Sequence, residues 1–309
     1  MKLSIVIPCY NCSNNIINII DLLEQQINPL VEVLFINDGS SDNTASIIKE
    51  NIERRCLSTF YLFNYENSGA AKARTRGLEH STGEYIFFLD SDDVINGAFI
   101  KNIFEQLAKG PDMIYFSSVI VDAVNPEKKI SDKIIFHKEQ TFNNPDDFIC
   151  MMFKNNNWTS AVWSYVFRRE LATTSEAYFT DRVAHEDHIF TLRLVGHSQK
   201  IQVLKDILYL QKKTAGSLTT SKKKRSYISE RFRAFEESRD DMNSLYSKES
   251  IYLYEKWSVF SFIHLCYENV SIIWVWLMYP AFYYNLWKYH SVIFDIFKCS
   301  VIRKLKRFI

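Results

Sequence analysis

Three carboxylates fall within four residues at Asp90-Ser91-Asp92-Asp93, directly after the apolar run Tyr85-Ile86-Phe87-Phe88-Leu89. Side chains two apart on an extended chain point the same way, so Asp90 and Asp92 can face one ion together. Carboxylates this close repel one another unless a cation or a proton sits among them. A divalent metal carrying a phosphate satisfies that condition; a solvated acidic turn does so too, because Asp and Ser are common turn residues. A second acid of interest, Asp187, follows Glu186 and precedes the helical pattern Ile189, Phe190, Leu192, Leu194. There a helix N-terminus stabilises a carboxylate, whether for chemistry or simply as a cap. His185 and His188 flank it at i, i+3 spacing, which by itself reads as surface or supporting residues rather than a metal site. Asp38, in Asn37-Asp38-Gly39-Ser40, taken alone is a turn.

The elements that must position these acids are legible in the order of the chain. Leu3 to Ile7 is a short apolar strand closed by Pro8, and Cys9-Tyr10-Asn11 is its loop. Ile16, Ile19, Ile20, Leu23 and Ile27 recur at helical spacing. Val31 to Ile36 is a second strand, Asp42-Asn43-Thr44 offer caps to the next helix, and Phe60 to Phe63 is a third strand. Ala70 to His80 is a helix, Tyr85 to Leu89 the fourth strand, and Asp112 to Phe116 a further one. Such alternation predicts a parallel, three-layer α/β sheet. In open sheets of this kind ligands bind at the carboxyl ends of the strands, where Tyr10, Asp38 and the acidic cluster fall. An aromatic ring, a lone carboxylate and an acidic cluster in one cleft suit a base, its ribose and a metal-bound diphosphate.

The 309 residues, 47% of them hydrophobic and 15% aromatic, are enough to bury a sizeable core. A net charge of +1 gives no global pull toward nucleic acid. Six scattered cysteines offer no disulfide framework, and Cys9 and Cys12 lack a second pair for zinc, so packing thiols in a reducing cytosol are expected. The opening residues read as a first strand rather than a signal peptide, which makes the cytoplasm the expected location.

Residues 4 to 93 resemble the nucleotide-sugar-binding half of a family 2 glycosyltransferase. The resemblance rests on Ser4 to Asn11, on Asn37 to Asp42, and on the stretch Asn67 to Asp93 with Gly69, Ala73, Arg74, Gly77, Gly83 and the terminal acids. Thr75-Arg76 and Ser13 depart from the family pattern. Trp158 to Leu171 resembles the segment leading to the acceptor side, and Leu208 to Lys212 with Gly216-Ser217-Leu218-Thr219 a terminal motif in which Lys212 replaces the usual Arg. The resemblance implies a GT-A fold: a Rossmann-like, mostly parallel sheet flanked by helices, over residues 1–220. It implies Asp187 as general base, Asp92 with Asp90 or Asp93 as ligands of Mn²⁺ or Mg²⁺, and Pro8, Tyr10, Asp38, Arg74, Asp90 and Lys212 on the donor. A UDP-sugar would be the donor, and a glycan or lipid-linked oligosaccharide hydroxyl, as in capsule or O-antigen assembly, the acceptor.

Residues 221–309 differ in character. Ser229 to Tyr254 reads as one charged, amphipathic helical stretch, and Val270 to Trp287 carries no charged residue and many rings. With the basic tail Arg303 to Arg307, this suits a segment lying on an anionic cytoplasmic leaflet, peripheral to the inner face of the membrane. A helical subdomain burying the rings within itself or against a second copy is the other reading. Two other functions are weighed. A sugar-nucleotide pyrophosphorylase would require a glycine-rich loop where Pro8 to Asn11 has none. A catalytically inactive scaffold would have no need of Asp38, Asp92 and Asp187 together.

Overall fold

The structure, a computed structural model, describes residues 2–182, 184–213 and 223–269. Its first part alternates strand and helix: β1 (Leu3–Cys9), α1 (Ile16–Glu24), β2 (Val31–Asp38), α2 (Thr44–Arg54), β3 (Phe60–Tyr65), α3 (Ala70–His80) and β4 (Tyr85–Phe88). The four strands pair in parallel in the order β3-β2-β1-β4. The sheet then continues through β5 (Val94–Ile95), α4 (Phe99–Leu107), β6 (Met113–Asp122), β7 (Lys129–Ile134), β8 (Gln140–Phe142), α5 (Pro145–Lys154), β9 (Tyr165–Arg168), α6 (Arg169–Thr174), α7 (His188–His197) and β10 (Ile201–Lys213). The sheet order is β3-β2-β1-β4-β9-β6-β10-β5, with β7 on β6 and β8 on β10.

The sheet is mostly parallel and flanked by helices, as the alternation predicts. Two strands on the path run the other way: β9, antiparallel to both β4 and β6, and at the end β5, antiparallel to β10. Because β6 and β10 then run with β4, the carboxyl ends of β1, β2, β4 and β10 share one edge. Strand β9 starts at that edge, so the residues just before it join the site. Pro8 does not close β1. The strand runs on to Cys9, paired with Asn37, because β4 pairs with β1 only as far as Val6 and leaves no partner on that side for a proline to disappoint.

Two features fix this edge to the core. Helix α3 packs on β1 and β2 so closely that a Cβ on Gly77 would stand 2.1 Å from Val6 Cγ1. Glu32, the second residue of β2, is 3% exposed ahead of the apolar run Val33 to Ile36. It accepts from Lys2 Nζ (2.7 Å), Ser4 Oγ (2.5 Å), Thr82 N (2.6 Å), Thr82 Oγ1 (2.8 Å) and Gly83 N (3.1 Å). Burial alone would raise its carboxyl; the Lys2, Ser4 and Thr82 bonds outweigh that and bring it down to about 2. This one side chain staples β1, β2 and the turn into β4.

The stretch expected as one helix over Ser229 to Tyr254 is two, α8 (Arg225–Leu245) and α9 (Lys248–Asn269). The corner between them is clamped: Ser247 N and the Ser250 hydroxyl donate to Asp146 Oδ1, and Tyr246 Oη donates to the Leu192 carbonyl at 2.6 Å. Helix α8 packs on α7 and α9 on α5, with Ile228, Phe232, Phe235, Met242, Tyr254, Val259 and Phe262 buried. No helix among the described residues is long and apolar enough to cross a membrane. The Gly216 to Thr219 motif, Val270 to Trp287 and the basic tail lie outside the described residues.

Candidate active site

Tyr10, 55% exposed, stands on the loop that follows β1. That loop is zipped to the one after β2. Asn11 N donates to Ser40 Oγ (3.0 Å), Ser41 N to Asn11 Oδ1 (2.8 Å), Cys12 N to Thr44 Oγ1 (2.9 Å) and Ser13 N to Asp42 Oδ2 (3.1 Å). Gly39 is required here, since its φ is +70° and a Cβ would stand 2.6 Å from Asn67 N. Asp38 is 3% exposed, and both its oxygens are engaged: Oδ1 accepts Ser68 N at 2.9 Å and Oδ2 accepts Gly69 N at 2.7 Å. Arg76 adds a contact to Oδ1 at 3.3 Å while its guanidinium lies 4.2 Å above the Tyr65 ring. Asp38 therefore holds the start of α3 against the β2 loop. Cys9 and Cys12 are buried free thiols, as packing predicts.

The acidic turn divides in two. Asp93, expected as a possible metal ligand, is 3% exposed and turned inward: Tyr209 Oη donates to Oδ2 and Lys212 N to Oδ1, each at 2.7 Å. Tyr209 in turn stacks on Trp163, ring centroids 4.5 Å apart. Asp93 thus ties the turn to β10. Asp90 and Asp92 remain toward the cleft, and burial followed by the Asp90 charge pushes the Asp92 carboxyl up, with the Lys212 charge opposing. No three His, Cys, Asp or Glu side chains among the described residues are arranged to hold a metal by themselves. Two hard oxygen ligands, one of them (Asp92) costlier to ionise for its neighbour's charge, do fit Mn²⁺ or Mg²⁺ once diphosphate and water oxygens complete the shell.

Arg74, buried on α3, joins the two halves of the cleft. Its Nη2 donates to Asp90 Oδ1 at 3.2 Å and its Nη1 to Glu186 Oε1 at 2.5 Å. Asp187 follows as the residue before α7, yet its side chain makes no capping bond. Instead it accepts from Ser160 Oγ at 2.9 Å. Ser160 is itself fixed, because the Thr191 hydroxyl donates to its carbonyl at 2.6 Å and Tyr165 Oη meets Thr191 Oγ1 at 2.7 Å. Burial, then the Glu186 charge, push the Asp187 carboxyl up to about 7, against the pull of Arg74 and Ser160. A carboxyl at that value accepts and releases a proton near neutral pH, which a simple cap does not need.

The two histidines do not converge. His188 is buried, its Nε2 3.0 Å from Tyr254 Oη and its ring stacked on Trp257, and burial pushes its pKa far down. His185 faces Tyr227, ring centroids 5.0 Å apart.

The profile of glycosyl transferase family 2 matches residues 4–173. The chain belongs to this family. It is 26% identical over 212 residues to the uncharacterized glycosyltransferase YibD of Escherichia coli, covering 67% of this chain and 60% of YibD. Over 212 residues it is 24% identical to the poly(ribitol-phosphate) beta-N-acetylglucosaminyltransferase TarS of Staphylococcus aureus, covering 68% of this chain and 35% of TarS. The crystal structure of S. aureus TarS 1-349 in complex with UDP-GlcNAc superposes with a TM-score of 0.69 at 19% identity, over 91% of this chain and 76% of that one. That likeness establishes the GT-A fold. The chain spans about 60% of the length of the curated relatives YibD and EpsJ.

Within this family-2 framework the structure adds residues that the sequence reading passed over. Glu186 was seen only as the neighbour of Asp187, and it is the partner of Arg74. Ser160 reaches Asp187 from a loop 27 positions away, which no local pattern announces. Arg76, a departure from the family pattern, does have an assignable contact, the Asp38 carboxylate.

Proposed function

We propose that the chain is an inverting, metal-dependent glycosyltransferase that moves a hexose or N-acetylhexosamine from a UDP-sugar to a hydroxyl of a glycan or lipid-linked oligosaccharide, in surface-polysaccharide assembly. The observation that carries this is the Arg74 bridge between Asp90 and Glu186, which ties a donor-side acidic turn to the residue beside Asp187, the carboxyl pushed up into the range of proton transfer. The UDP-GlcNAc in the TarS complex supports a uridine diphosphate donor.

Asp90 and Asp92 would hold the metal, and a bound divalent ion supplies charge stabilisation to the departing diphosphate. The base would stack on exposed Tyr10, beside Pro8, on a loop that Asp38 steadies from below. The Lys212 ammonium stands near enough to Asp92 to oppose its rise and would meet the diphosphate as a point charge. On the acceptor side Ser160 holds Asp187 Oδ1, and Oδ2 takes the proton of the acceptor hydroxyl as its oxygen attacks the anomeric carbon. The bond from that carbon to the diphosphate oxygen breaks, and UDP leaves with the electron pair. One displacement with one base inverts configuration.

A panel of UDP-sugars with Mn²⁺ and candidate glycan acceptors, scored for UDP release and for the anomer formed, tests this. Release with inverted product is expected; a retained configuration would sink the single-displacement mechanism, and a chain that binds no UDP-sugar would be a scaffold. We place the protein on the inner face of the cytoplasmic membrane, on the strength of the aromatic and basic composition beyond Asn269.

A further inference from the structure

Arg231 on α8 is 2% exposed, among the largest fully buried side chains of the described residues. Its Nη1 and Nη2 have no hydrogen-bond partner, and no carboxylate among the described residues pairs with it. The guanidinium lies 4.6 Å above the Trp257 ring, a contact that satisfies its flat face and leaves its N–H fork unused. A buried, unpaired charge of this kind is expensive unless something completes it. Arg182, close by, differs: it pairs with Glu230 (3.5 Å) and with Glu237.

His185 shares the same corner. Its Nε2 is buried without a partner, and its backbone is held at φ +61°. Burial, then Arg231, Arg182 and Lys223, push its pKa down to about 3, so the ring is neutral among three cations. A neutral imidazole with Nε2 protonated is a donor, and so is every free N–H of Arg231. The corner therefore offers donors and positive charge, two residues along the chain from Asp187. The Asp187 charge acts on both Arg231 and Tyr227, which places all of them about one space.

We propose that Arg231, with His185 Nε2, forms a pocket for a phosphate oxyanion carried by the acceptor, with the half-buried Tyr227 ring as the wall that gives way on entry. The guanidinium fork matches two phosphate oxygens, and the dry surroundings strengthen that pairing. The pocket deepens the acceptor side of the proposed reaction and rests on Asp187 being its base. It selects an acceptor whose hydroxyl and phosphate are close together over one that is a neutral glycan.

The test uses the full chain saturated with UDP and Mn²⁺, titrated calorimetrically with glycerol phosphate and, as a neutral control, glycerol. Saturable binding of glycerol phosphate and none of glycerol is expected. Arg231→Met should weaken it at least about tenfold and Arg231→Lys, which keeps charge but loses the fork, by less. No binding by the wild-type chain, equal binding by Arg231→Met, or binding of glycerol phosphate only when UDP is left out would each overturn the proposal, the last by assigning the anion to the donor. Should Arg231→Met fail to fold, the wild-type titration and the lysine variant still decide. UDP affinity is read in a separate titration of the same chain with Mn²⁺ before saturation, so a chain that binds glycerol phosphate but no UDP sinks the transferase reading alone.

Discussion

One guanidinium spans the cleft: Arg74 donates to Asp90 at the end of the fourth strand and to Glu186 beside Asp187, residues nearly a hundred positions apart in the chain. Each carboxylate keeps the arginine charged, and the arginine restrains the rise of Asp187 that burial and Glu186 produce. The bridge thus sets both the geometry between the two acidic centres and the proton affinity of one of them.

Arg74→Met should therefore do two things at once. Turnover should fall by about a hundredfold or more, as expected when a positioning contact between reacting groups is lost. Since Arg74 lowers the Asp187 pKa, its removal should move the acid limb of the kcat/KM profile to higher pH. A limb that stays in place while turnover falls would reduce Arg74 to a purely structural role.

Asp187 supplies its own signature. With its pKa at about 7, kcat/KM should rise with pH through that value and then level. Asp187→Asn should abolish transfer while leaving UDP affinity nearly intact; unchanged turnover would remove it from the base role. Stability gives a second readout with a definite sign. The folded-state pKa lies above the unfolded value of about 3.9, so ionising this group costs stability as pH rises from about 4 through 7. The asparagine variant should then melt a few degrees higher than wild type at pH 8 and show no such gain at pH 4.

The acidic turn predicts an asymmetry between neighbours. Asp92→Ala should lose metal-dependent UDP binding, since Asp92 faces the cleft with Asp90. Asp93→Asn keeps a group that can meet both Tyr209 and Lys212, and its UDP affinity should change by no more than about threefold, with the main effect on melting temperature. Calorimetry with Mn²⁺ and with EDTA separates the two. If Asp93→Asn loses UDP as completely as Asp92→Ala, the inward role assigned to Asp93 is wrong.

What the sequence showed and what it hid follow from how local each signal is. The strands and helices of the first 89 residues are periodic and punctuated by turn residues, and Ala70 to His80 is a helix over the range expected. Asp93 could not be told from Asp90 and Asp92, because its direction is set by Tyr209, more than a hundred residues later. Ser160 and Arg231 were invisible for the same reason. A serine before a strand and an arginine within a charged helix read as solvated until the tertiary neighbours, α7 and Trp257, enclose them. Strand β9 was missed as an antiparallel insertion, since its residues Tyr165 to Arg168 carry no mark of direction.

Glu32 makes the last prediction, on stability alone. Its folded pKa of about 2 lies below the unfolded value of about 4.3, so its contribution is complete above the unfolded value and is lost as pH falls through about 2. Removing it strands Ser4 Oγ and the Thr82 amide, while Lys2 keeps Thr82 Oγ1 and Gly83 N keeps Ser4 Oγ. Glu32→Ala should cost on the order of 3 kcal/mol at pH 7, the range for breaking a buried charged cluster from one side. Glu32→Gln keeps one acceptor oxygen but loses the charge and should cost less. Urea unfolding at pH 7 and near pH 2 distinguishes this from a packing effect: the gap between wild type and Glu32→Gln should narrow at the lower pH. A gap that is the same at both would mean that the charge of Glu32 contributes nothing, and that shape alone joins the turn at Thr82 and Gly83 to the sheet.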